Sequence, residues 1–76
     1  MIYPIEMKNA EDVVRVNKEA SRAGINLSVS VGTLVLDPRS ILALFALIGK
    51  KANLVAPDST DPEAFVRLIK RMNVSA

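Results

Sequence analysis

The chain has 76 residues, ten basic and eight acidic, with a formal charge of +2 and neither cysteine nor histidine. This length predicts a single domain over residues 1–76, and the balanced charge argues against nucleic acid as a partner. The missing cysteines exclude disulfides and thiolate metal sites, and the missing histidines remove the commonest general base, so no metal or cofactor is expected.

The first predicted element is a strand over residues 2–8, because apolar and polar residues alternate there. A helix is predicted next, over residues 10–23, with Asn9 as its N-cap and Gly24 as its stop. The residues expected to face the core are Tyr3, Ile5 and Met7 in the strand and Val13, Val16 and Ala20 in the helix.

A β-hairpin is predicted after this helix, because the apolar period returns to two from residue 26 onward. The pair Gly32-Thr33 suits a two-residue type II′ turn, in which glycine comes first. Folding the chain there pairs Val31 with Leu34, so that the apolar faces of both arms fall on the same side of the sheet.

An uncharged run over residues 40–49 predicts the second helix, which is apolar all round. Ser40 is its expected N-cap, directly after Asp37-Pro38-Arg39. The run is about half of what a membrane span requires, and residues 1–6 lack a secretory signal, so no membrane and a cytoplasmic location are expected. The remaining predictions are a strand over residues 52–56 and a helix that starts at Asp61-Pro62 and buries Phe65, Leu68, Ile69 and Met72.

Two structures of the apolar helix remain open. Either it is buried on both sides, or one side is exposed as a patch for a partner protein. The second alternative predicts that Ile41, Leu42 and Phe45 are exposed beside Ser40. In either case the element order is βαββαβα, which favours an α+β fold with one sheet covered by helices on one face.

The element order and residues 20–47 resemble the HPr family, the histidine-containing phosphocarrier proteins of the bacterial sugar phosphotransferase system. The most specific segment is Arg39-Ser40-Ile41-Leu42-Ala43-Leu44-Phe45, which is similar to the sequence around the family's regulatory serine. The resemblance implies an open-faced β-sandwich with a four-stranded antiparallel sheet in the order 1-4-2-3. It also implies a phosphorylation site at Ser40 and a partner surface formed by Arg39, Ile41, Leu42 and Phe45.

The position of the family's phosphorylated histidine falls on Asn9, and the following Arg-Pro of the family is replaced by Glu11-Asp12. An amide cannot take and return a phosphoryl group, and two carboxylates repel one. The chain is therefore expected to be no enzyme and no phosphocarrier. The resemblance implies instead a regulatory, protein-binding module of carbon catabolite control and sugar transport, with a regulator or an HPr-kinase-like enzyme as its partner.

Three alternatives come from the residues themselves. The chain could be an orphan interaction domain with Ser40 only as a cap, a weak polyanion binder, or a carboxylate enzyme. Solvated helix ends and first-turn acids explain the charged residues without any such function. The residues concerned are Lys50, Lys51, Arg67, Lys70 and Arg71 for the polyanion, and the pairs Glu11 with Asp12 and Asp61 with Glu63 for the enzyme.

Overall fold

The structure is a computed structural model that describes residues 1–76. Four strands form one antiparallel sheet in the order β1-β4-β2-β3, and three helices complete the chain, as the resemblance implied. None of the helices has the length and apolarity that crossing a membrane would require. The elements in chain order are β1 (Ile2–Glu6), α1 (Ala10–Arg22), β2 (Ser28–Val31), β3 (Leu34–Leu36), α2 (Ile41–Phe45), β4 (Lys51–Val55) and α3 (Pro62–Met72).

The core lies between the inner face of the sheet and the helices. Helices α1 and α3 each bury one apolar stripe on it, because apolar residues recur there at helical spacing. The predicted stripes are confirmed, except that Ile69 is only half-buried. Sixteen apolar side chains form the core, and its largest fully buried members are Ile5, Met7, Leu44, Leu54, Leu68 and Met72.

The β2–β3 hairpin has the predicted register, with Val31 opposite Leu34 and Val29 opposite Leu36. Gly32 has a φ of 59° while Thr33 keeps a negative φ, which agrees with a type II′ turn and excludes type I′. Leu34 lies on the apolar face of the hairpin, opposite Val31, and is nevertheless 54% exposed. It lies on an edge strand, beyond which no further strand follows to cover it.

Two strand boundaries differ from the predicted ones. β1 ends at Glu6 rather than at residue 8, although Met7 still points into the core. The Met7 carbonyl accepts a hydrogen bond from the Gly49 N–H at 2.8 Å, so this residue contacts the end of the α2 segment instead of continuing the sheet. β4 begins and ends one residue earlier than predicted, with Lys51 opposite Glu6 at its start and Val55 opposite Ile2 at its end.

Helix α2 is much shorter than the predicted run over residues 40–49. After Phe45 the chain continues in tighter turns, in which the Leu47 N–H bonds the Leu44 carbonyl and the Ile48 N–H bonds the Phe45 carbonyl. Such i to i−3 bonds are usual where an α-helix ends. Gly49 has a φ of 81° and turns the chain towards β4.

Candidate functional site

A tight turn places Ser40 at the surface ahead of α2. Pro38 is buried in this turn, and the Ser40 N–H donates to the Asp37 carbonyl at 3.0 Å. The Asp37 Oδ1 accepts the Arg39 N–H at 2.9 Å, which closes an Asx turn inside the first one. Proline with a preset φ and aspartate with a short acceptor side chain are the residues that such a turn favours. The Asp-Pro-Arg-Ser sequence therefore determines this turn locally.

The Arg39 guanidinium binds the Asp37 carboxylate through two nitrogens, with Nε and Nη2 each 3.1 Å from a carboxylate oxygen. The hydrogen bond from the Arg39 side chain is the main cause that lowers the pKa of Asp37, and the same bond raises the pKa of Arg39. Both side chains are about half exposed. Arg39 lies beside Ser40 as predicted, but its charge is already matched by Asp37, which the sequence analysis did not anticipate.

Ser40 is the N-cap of α2, as predicted. Its φ of −87° and ψ of 104° are extended, and its Oγ accepts the Ala43 N–H at 3.5 Å. That distance is at the long end of hydrogen bonding, so the cap is weak. The residue is exposed, and its hydroxyl lies at the head of the helix beside backbone N–H groups.

The apolar side chains after Ser40 divide between the core and the solvent. Leu44 and Leu47 are buried, whereas Ile41, Leu42 and Phe45 are 38%, 80% and 40% exposed. We call these three exposed residues the α2 apolar patch. Ile41 and Phe45 are four residues apart and share one face of the helix, with Leu42 next to it. The predicted exposure is confirmed, and the use of the patch by a partner stays a prediction.

Asn17 of α1 holds the Ser40 turn in place, a role that the sequence analysis missed. Its side-chain amide donates to the carbonyls of Pro38, at 3.2 Å, and Arg39, at 2.9 Å. The only signal in the sequence is its position in α1, four residues after Val13 and thus beside the buried stripe. A polar residue at the margin of a stripe can reach a neighbouring segment, but the pattern does not say which one.

Asn9, which the resemblance would set at the position of the family histidine, caps α1. Its Oδ1 accepts the Asp12 N–H at 2.9 Å, as the N-cap prediction requires. Asp12 in turn accepts the Lys8 N–H at 2.8 Å and a hydrogen bond from Arg15. The Lys8 bond is the largest of the effects that lower the pKa of Asp12. The site offers a satisfied amide and a carboxylate, neither of which is a phosphoryl acceptor of the imidazole type.

Two charged side chains of α1, Arg15 and Glu19, reach across to α3. The Arg15 Nε donates to the Met72 carbonyl at 2.7 Å, so Arg15 caps the C-terminus of α3 while it also binds Asp12. Glu19 pairs with Arg71 of α3 at 2.9 Å. Both side chains therefore join α1 to α3, and Arg15 also pairs with Asp12 within α1.

The five basic residues of the polyanion alternative do not form one patch. Lys51 points to the outer face of the sheet, because its neighbour Ala52 points into the core. The arginines and lysine of α3 lie on the helix side, where Arg71 is paired with Glu19. No group of three or more acidic side chains could hold a metal ion.

Comparison with protein-family models, with curated proteins and with solved structures gives no match for this chain.

Proposed function

We propose that this chain is an HPr-like regulatory module that binds a partner protein through the surface around Ser40, and that phosphorylation of Ser40 controls this binding. The module would belong to the phosphotransferase system without carrying phosphohistidine, since Asn9 takes the histidine position. The sheet order and the three helices support the proposal because the resemblance implies the same arrangement.

One observation carries the proposal: an exposed serine hydroxyl adjoins an exposed apolar patch. Most apolar side chains of a small domain are needed for its core, yet Leu42 is 80% exposed. A partner that covers the α2 apolar patch would also contact Ser40 and Arg39. Aromatic and aliphatic groups surrounded by polar ones are typical of protein interfaces.

Phosphorylation would change the charge of this surface strongly. A phosphoserine adds close to two negative charges beside the Asp37–Arg39 pair, which is neutral as a unit. The phosphate oxygens would accept hydrogen bonds from the free backbone N–H groups at the start of α2. They would also compete with the Asp37 carboxylate for the Arg39 guanidinium. The patch would then present an anion next to its apolar residues, which is a large enough change to select or reject a partner.

Incubation with a bacterial HPr kinase and ATP, followed by mass spectrometry of the peptides, tests the modification. We expect phosphate on Ser40, and none on a Ser40→Ala variant. Ser59→Ala, which removes a different exposed serine, is the matched control and should be modified like the wild type. Phosphate on another serine, or none on the wild type, would contradict the regulatory role.

The orphan interaction domain is the second candidate, favoured by the observation that Ser40 does cap α2. It predicts no kinase reaction, while Leu42→Glu would still weaken binding to whatever protein uses the patch. Val66→Glu on α3, which alters an exposed apolar residue of another surface, serves as its control. A regulated module requires both effects, so the two experiments together separate the candidates.

A further inference from the structure

The exposed apolar residues of this protein are concentrated in one segment. Eight large apolar side chains are exposed, and five of them lie between residues 34 and 45. Three belong to the α2 apolar patch, and the other two belong to β3. The β3 residues are Leu34, 54% exposed, and Val35, 66% exposed.

One edge of the sheet is covered by another segment of the chain, and the opposite edge is not. At the β1 edge, the Glu6 N–H donates to the Val74 carbonyl at 2.8 Å and the Ala76 N–H donates to the Pro4 carbonyl at 3.3 Å. The C-terminal residues therefore cover that edge, and Pro4 has no N–H to offer there. β3 forms the opposite edge, where no segment of the chain pairs with its outer side.

The hairpin register shows which backbone groups of β3 are free. In a hairpin with a two-residue turn, the residues that flank the turn are a hydrogen-bonded pair, here Val31 and Leu34. Hydrogen-bonded and non-bonded pairs alternate, so Leu36 also bonds β2 while Val35 does not. The N–H and C=O of Val35 thus point outward from the sheet.

We propose that the free edge of β3 pairs with β3 of a second copy of this chain, antiparallel about a twofold axis at Val35. The strand Leu34-Val35-Leu36 is palindromic, so this pairing sets Val35 against Val35 and Leu34 against Leu36 of the second copy. The two valines would exchange both of their free backbone hydrogen bonds. The exposed Leu34 would gain the neighbouring strand that its own sheet lacks.

The charges near β3 permit this pairing, and the single free edge of each copy limits the assembly to two copies. The first charged residue after the strand is Asp37, which would face the uncharged Thr33 of the second copy. The two Asp37 residues would be about 14 Å apart along the strands, beyond the screening length of about 8 Å in physiological salt. Each copy has one free edge, so the assembly closes at two copies.

The strand is short, with only three residues, so the dimer should be weak and visible at high protein concentration. Sedimentation velocity over a range of about 10 μM to 1 mM covers the affinities expected for such a contact. We expect the wild type to shift from monomer to dimer across this range. Hydrogen exchange of the Val35 amide should slow in parallel, because that N–H becomes bonded only in the dimer.

Two variants of Val35 test the geometry. Val35→Lys places two like charges against each other on the axis, and Val35→Pro removes the outward N–H without touching a bond to β2. Both should stay monomeric while circular dichroism shows an intact fold. Val66→Lys on α3 is the matched control and should dimerise like the wild type.

Three results would overturn the proposal. The first is a wild type that stays monomeric throughout the range, and the second is a dimer that survives both Val35 variants. The third is a dimer that Leu42→Lys abolishes while Val35→Lys leaves it intact, which would assign the contact to the α2 apolar patch. None of these results depends on whether Ser40 is phosphorylated.

Discussion

At the residue scale, the caps are the features that local chemistry explains best. Asn9, Ser40 and Asp61 each accept a backbone N–H of the helix that follows, at 2.9, 3.5 and 3.2 Å. A short polar side chain next to free N–H groups needs no partner from elsewhere in the chain, so its role can be predicted from sequence. The partner of an arginine cannot be predicted in the same way, because its long side chain can reach several acceptors.

Asp12 should make the stability of the protein depend on acid. Its pKa is lowered in the folded state, mainly by the hydrogen bond from the Lys8 N–H, and its side chain is only 15% exposed. A carboxyl group with a lowered folded pKa stabilises the fold above its unfolded pKa of about 4. This contribution is lost as the pH falls through the lower, folded value.

We expect Asp12→Asn to lower the free energy of unfolding at pH 7 by about 1–2 kcal/mol, since hydrogen bonds to a charged group are weakened. The loss of stability below pH of about 4 should become shallower in this variant. Urea unfolding at a series of pH values measures both effects. Glu11→Gln, at an exposed position without a hydrogen bond, is the control, and an unchanged pH profile in Asp12→Asn would contradict the assignment.

At the element scale, the two helices with a single apolar stripe have the extents that the sequence predicts, whereas α2, which is apolar all round, is much shorter than predicted. α1 and α3 each have one face to bury, so their extents follow from the pattern and the caps. α2 has apolar residues on all sides, and the pattern cannot say which side is buried or where the helix ends. Contacts from other elements hold the segments on either side of α2: the Met7 carbonyl accepts the Gly49 N–H, and the Asn17 side chain donates to the Arg39 carbonyl.

We expect Asn17→Ala to loosen the Ser40 turn, because it removes both side-chain donors to the Pro38 and Arg39 carbonyls. The free energy of unfolding should fall by about 1–3 kcal/mol, the range for two neutral hydrogen bonds. Amide exchange of Ser40 and Leu44, whose N–H groups bond within this segment, should accelerate more than that of α3.

Lys18→Ala, at the next and exposed position of α1, controls for a general effect on the helix. Equal acceleration of exchange in α2 and α3 of Asn17→Ala would show that Asn17 stabilises the whole domain and does not hold this turn in particular.

At the scale of the whole molecule, the C-terminal residues complete the β1 edge of the sheet. Val74 is buried, Ser75 lies opposite Ile5 in an isolated bridge, and its hydroxyl bonds the Tyr3 hydroxyl at 2.9 Å. Residues 74–76 thus connect the end of α3 to the first strand. One edge of the sheet is closed by this contact, and the other remains free at β3.

We expect removal of residues 74–76 to lower the free energy of unfolding by about 3 kcal/mol. The truncation removes the buried Val74 side chain from the core and breaks the backbone hydrogen bonds to β1. A loss of this size is a large part of the stability of a small domain. Chemical denaturation measures the loss. Removal of Ala76 alone, which costs one 3.3 Å bond, is the control and should have a much smaller effect; equal effects of the two truncations would contradict the role of Val74.

Most of the fold could be predicted, but only part of the candidate site. Hydrophobic periodicity, caps and the Gly32-Thr33 turn act between residues that are close in the chain, and they led to all seven elements and the hairpin register. The pairing of Arg39 with Asp37 and the contact of Asn17 with the Ser40 turn were not predicted. The Asn17 contact depends on which segment the folded chain brings within reach of α1. The Arg39 pair is local, but a long arginine side chain can reach several acceptors, and the sequence does not say which one it binds.

The order of the elements, the cap at Ser40 and the buried stripes of α1 and α3 follow from the amino-acid sequence alone. The short length of α2, the exposure of its apolar patch, the contact of Asn17 with the Ser40 turn and the difference between the two sheet edges emerge only in the folded chain. The physical reason is range: caps, turns and periodicity are set by near neighbours, whereas burial and edge coverage depend on segments far apart in the chain.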